Sequence, residues 1–67
     1  MAWAREERRA AGWQVTIGGE DRAAVKALVL DYLRRWPAQG YDTRIGTVTR
    51  LEGGGFLAVG SRLASSD

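Results

Sequence analysis

No histidine and no cysteine occur among the 67 residues. Those two absences exclude disulfides, thiolate nucleophiles, imidazole general bases and every zinc site built on Cys or His. Proline occurs once, at position 37, and lysine once, at position 26, so nine of the ten cations are arginine. Long apolar runs are missing as well. The longest, Ala27 to Leu30 and Phe56 to Val59, fall far short of the roughly 20 residues needed to span a bilayer. The first nine residues lack the apolar stretch of a signal peptide and carry acids that a transit peptide avoids, which points to a cytoplasmic protein.

What remains is a small chain of ordinary composition, 45% hydrophobic and 27% charged, with a net charge of +2. A domain of this size buries only about 60% of its unfolded surface. With disulfide and Cys/His zinc staples excluded, added stability must come from tight packing of large side chains, three Trp among them, or from burial against a second chain. A homodimer is therefore expected, formed by apolar surface that one helix leaves uncovered and by Leu30 on the helix shoulder.

The acids do not assemble a catalytic set. Glu6/Glu7 and Glu20/Asp21 are neighbours in sequence, so on a helix their side chains diverge by about 100°. The serines have no histidine to activate them, and no acid spacing fits a calcium loop. Gly53-Gly54-Gly55 joins two strands rather than opening a helix, and Gly18-Gly19 is followed by Glu20-Asp21, which would repel a phosphate. The chain reads as a non-enzyme without cofactor or metal.

The local patterns predict a single α+β domain over residues 12–62, flanked by an arm or short helix over 1–11 and a polar tail over 63–67. The arm is rich in Ala, Arg and Glu, which favours helix. Trp13-Gln14-Val15-Thr16-Ile17 alternates as a half-buried strand, with Trp13, Val15 and Ile17 on one face. Val25, Leu28, Val29, Tyr32, Leu33 and Trp36 then fall on one helical stripe, which Pro37 ends. These residues, with two or three from the following hairpin, make the expected core.

Residues Tyr41 to Leu51 read as a strand in which Ile45 and Val48 differ in parity, a conflict that a bulge near Gly46 would resolve. Phe56 to Arg62 is the returning strand. Its register is open: a two-residue loop pairs Val48 with Val59, and a three-residue loop pairs Leu51 with Leu57. The order β-α-β-β then places the single helix on a three-stranded antiparallel sheet, strand order 1-3-2, with apolar Phe56 to Val59 in the centre. One helix covers one face only, so the other face carries apolar side chains.

The candidate partner-binding residues sit on the hairpin and its flanks: Arg44, Arg50, Arg62, Tyr41, Phe56, Asp42 and Glu52. Arg and Tyr dominate binding hot spots, and the intervening acids suit a protein of mixed charge better than bare phosphate. A small nucleic-acid-binding module using an arginine and aromatic sheet surface is the alternative.

Gly46-Thr47-Val48-Thr49-Arg50-Leu51-Glu52 followed by Gly55-Phe56-Leu57-Ala58-Val59, after a short amphipathic helix, resembles the layout of some small phage- or mobile-element-encoded anti-CRISPR proteins that inhibit type I systems. The resemblance spans roughly residues 20 to 60. It implies a binding protein without catalysis, an inhibitor that occludes a Cas or other nucleic-acid-handling complex.

Overall fold

A computed structural model describes residues 1–63. Of the tail expected over 63–67, residues 64–67 lie outside the described residues, and Leu63 closes a strand. The helix forms where its stripe predicts. The preceding elements are strands β1 (Ala2–Arg9) and β2 (Gly12–Gly19), and helix α1 spans Arg22–Arg35. The Asp21 carboxylate caps α1 by accepting from the Ala23 N–H at 3.4 Å, and Arg34 and Arg35 meet the partial negative charge of its last turn. Pro37 cannot continue the helix. One irregular turn follows, α2 (Ala38–Tyr41), leading into strands β3 (Arg44–Ile45), β4 (Thr49–Arg50) and β5 (Phe56–Leu63).

The architecture is α+β, one main helix on an antiparallel sheet, but the sheet has five strands rather than three. Its order is β1-β2-β5-β3, with β4 also paired to β5. The arm expected over 1–11 is no helix: residues 2–9 pair along their whole length with β2, from Ala2 opposite Gly19 to Arg9 opposite Gly12. Cross-strand pairing overrides the helix propensity of Ala, Arg and Glu. The strand expected over Tyr41 to Leu51 is also shorter than predicted and split in two, because Tyr41 belongs to α2 and residues 46–48 leave the ladder.

Those three residues face only Ala58 and Val59, since Ile45 pairs with Gly60 and Thr49 with Leu57. The extra residue is a bulge, and the Gly46 N–H is bonded to the Val59 carbonyl at 2.9 Å. It brings both Ile45 and Val48 onto the core despite their parity. Neither sequence-derived register forms: Arg50 pairs with Phe56, and the Leu51 N–H donates to the Gly55 carbonyl at 2.8 Å. Gly53, Gly54 and Gly55 all have positive φ, 91°, 108° and 92°, a path that side-chain-bearing residues resist.

Val15, Ile17 and Val25 are completely buried between sheet and helix, with Tyr32 and Ala58 nearly so. Fully burying each such aliphatic side chain stabilises by about 1.5–3 kcal/mol. Leu28, Val29, Trp36, Ile45, Val48 and Phe56 close the periphery, while Leu33 is half-buried outside this cluster and Leu30 remains exposed. Gly60 lets β3 dock, because a Cβ there would run into the Arg44 carbonyl and the Ile45 Cα. No helix among the described residues is long and apolar enough to cross a membrane.

Candidate interaction surface

Antiparallel partners share a face, so strand parity divides the sheet cleanly. Ala58, Gly60 and Arg62 of β5 face the helix, opposite Ile17, Val15 and Trp13 of β2. Leu57, Val59, Ser61 and Leu63 face away from it, together with Trp3, Arg5, Glu7 and Arg9 of β1 and Arg44 of β3.

This division separates the residues singled out on the hairpin. Arg62 is not on the surface: only 7% of it is exposed, and it points under the helix. Its Nε donates to the Tyr32 hydroxyl at 2.7 Å and its Nη2 to Glu6 Oε2 at 2.9 Å, while Tyr32 donates to the same carboxylate oxygen at 2.7 Å. The guanidinium also lies 3.9 Å from the centre of the Trp36 ring and 5.3 Å from that of Trp13. Arg8 approaches Trp13 at 5.5 Å, and Tyr41 meets Trp36 edge-on at 5.0 Å. A stack of alternating charge and aromatic ring thus runs from β1 to α2. Arg62 and Tyr41 are packing residues within it.

The electrostatics of this cluster follow from its hydrogen bonds. Donation by Tyr32 is the main reason the Glu6 carboxyl lies below the usual carboxylate range, with burial opposing and Arg62 assisting. Burial, reinforced by Glu6, pushes the Tyr32 hydroxyl up to about 12. Arg62 is held above its ordinary value, the bonds to Glu6 and Tyr32 outweighing desolvation.

The other expected site residues disperse. Phe56 is half-buried against the core, and Arg50 beside it is exposed on the helix side. Glu52 lies in the glycine turn. Asp42, in the left-handed region at φ 48°, pairs with Arg44 at 3.2 Å on the opposite face. Two pairs are brought together, Asp42 with Arg44 and Arg50 with Phe56, and they lie on opposite faces of the sheet.

The uncovered face, expected to be apolar from the parity of Leu57 and Val59, extends beyond the hairpin onto β1. The Trp3 indole lies over Gly18, where a Cβ would strike it, and reaches towards Leu57. Trp3, Val59 and Leu63 are 49%, 45% and 48% exposed, an apolar band across the sheet. Arg5, Arg9, Gln14, Thr16 and Arg44 surround it. Arg9 is fixed by Gln14, 2.7 Å from its Nη2, and by Glu7 at 3.0 Å. Just before β3 begins, an open cleft of about 460 Å³ lies beside Leu63, lined also by Arg9, Trp13, Gln14, Asp42 and Arg62. Arg44 was among the residues named on the hairpin, whereas Trp3, Arg5 and Arg9 were hidden on this face because β1 was not recognised as a strand.

Such a face can bind by contact and hydrogen bonding. Among the described residues no cluster of three or more acids could hold a metal ion. Comparison with protein-family models, with curated proteins and with solved structures finds no match to this chain.

Proposed function

We propose that this chain is a non-catalytic binding module whose contact surface for a protein partner is the uncovered face of the sheet. The observation that carries the reading is the apolar band of exposed Trp3, Val59 and Leu63 with half-buried Leu57, left uncovered by the helix and rimmed by arginines. An apolar centre with Arg and aromatic residues is the composition of protein interfaces, and exposed aliphatic side chains gain nothing from phosphate. The narrower reading, an inhibitor that occludes a nucleic-acid-handling complex, draws its support from the resemblance of the hairpin.

A second reading, binding of single-stranded nucleic acid, is favoured by one specific feature: Trp3 is half-exposed beside Arg5 on the uncovered face. The two are separated by one set of experiments. Partners recovered from cell lysate by the wild type should be lost with Val59→Glu plus Leu63→Glu, whose side chains leave the core untouched. Equal recovery by both refutes the surface. Affinity for single-stranded DNA that falls steeply with salt and with Trp3→Ala would establish the second reading instead.

A further inference from the structure

The outer edge of β1 is a place where this sheet can grow. The strand runs straight for eight residues without bulge or proline, and every residue from Trp3 to Arg9 is exposed. Its inner side is fully paired with β2, so the unpaired backbone groups point outward. Edge strands are commonly protected by charges that repel another strand. Here the charges are of both signs, in an order that reads differently against its own reverse.

We infer that β1 pairs antiparallel with β1 of a second copy, with the two-fold axis through Glu6, giving one continuous sheet with both helices on the same side. A two-fold axis between antiparallel edge strands runs perpendicular to the sheet, so residues pair only with residues of their own face. Three central registers satisfy this. With the axis at Glu6, Arg5 lies opposite the second copy's Glu7 and Trp3 opposite its Arg9, each twice, all on the uncovered face. With the axis at Arg5, that residue meets itself and Glu7 faces Trp3. With the axis at Glu7, Arg5 faces Arg9 and Glu7 meets itself, against which two Glu6–Arg8 pairs are set.

Only the Glu6 register combines two opposite-charge pairs with two cation–aromatic pairs. Its costs are Glu6 beside its copy, each carboxylate already held by the Arg62 and Tyr32 of its own chain, and the sharing of Glu7 and Arg9, which bond each other within one chain, with the second copy. Arg5, which has no ion-pair partner among the described residues, gains one. The dimer leaves Val59 and Leu63 of both copies on the same face of one sheet, available to a further partner.

The test is a charge exchange. In sedimentation equilibrium the wild type should show a concentration-dependent dimer of twice the 7.3 kDa chain mass. Arg5→Glu alone sets Glu against Glu7, and Glu7→Arg alone sets Arg against Arg5; each should weaken the dimer about tenfold. In an equimolar mixture of the two variants the mixed dimer sets Glu against Arg at both of these pairs and should recover wild-type affinity within about twofold. Far-UV circular dichroism confirms that each variant is folded, and hydrogen exchange should show β1 amides protected more as concentration rises. A chain that stays monomeric at millimolar concentration overturns the inference. So does a dimer that both single variants leave intact, or one that their mixture fails to restore.

Discussion

Replacing Arg62 by Met tests the central stack of the molecule. Methionine keeps most of the volume of the arginine stem, so little cavity forms, but the guanidinium's hydrogen bonds to Tyr32 and Glu6 and its contacts with two indoles are lost. Hydrogen bonds to charged groups contribute about 1.5–3 kcal/mol, and each cation–aromatic contact about 0.5–2 kcal/mol. Two effects reduce the sum: the arginine no longer has to be desolvated, and Glu6, with 36% of its side chain exposed, recovers some hydration. The net loss should be about 2–3 kcal/mol. A core of this size rarely supplies more than about 3–5 kcal/mol, so most of the stability should disappear. Urea unfolding followed by tryptophan fluorescence reads this directly, because Trp13 and Trp36 flank the substituted residue. Adding Glu6→Gln to Arg62→Met should cost about 1 kcal/mol less than the two single losses together, since the first change abandons the carboxylate that the second then removes. An Arg62→Met variant within about 0.5 kcal/mol of wild type at neutral pH would refute the reasoning.

The same cluster sets the pH limits of the fold. Because Glu6 titrates lower when folded than unfolded, its contribution is present above pH 4.5 and should be lost as pH falls below it; because Tyr32 titrates at about 12 instead of 10.0, stability should decline between those values, and Tyr32→Phe should abolish the alkaline decline in a thermal melt series. Gly60→Ala should cost about 2 kcal/mol or more and unprotect the amides of β3 in hydrogen exchange, since its Cβ would meet the backbone of Arg44 and Ile45. Thr43→Val should be neutral or stabilise by up to about 1 kcal/mol in urea unfolding, because the Thr43 hydroxyl is buried without a hydrogen-bond partner.

The sequence makes some of these elements legible and conceals others for physical reasons. Helix α1 is readable because its stripe, its Asp21 cap and Pro37 agree. The bulge is readable because Ile45 and Val48 must both reach the core across a parity change. Strand β1 is hidden twice over. Its residues prefer helix, and the turn joining it to β2 is Ala10-Ala11, without the glycine or asparagine that marks two-residue hairpins; neither alanine has a positive φ. The site was misjudged through one residue in particular. Arg62 shares parity with Ala58 and so faces the helix, yet charge alone suggested solvent. Only the positions of Glu6, Tyr32 and the two indoles explain its burial, and Glu6 lies 56 positions away.

That separation bears on how fast the chain reaches its native state. Strand β5 occupies the middle of the sheet, yet it follows every other described element in sequence order, so the helix can pack on the β1–β2 hairpin before β5 arrives, while β3, β4 and the Arg62 cluster must wait for it. The ion pair joining Glu6 to Arg62 closes a loop of nearly the whole described chain, and the entropy of that closure is spent before the contact returns anything. Rates fall as native contacts become more distant in sequence. Docking of β5 should therefore set the pace of folding, and stopped-flow refolding should give about millisecond-to-second kinetics rather than the microseconds of a small helical bundle.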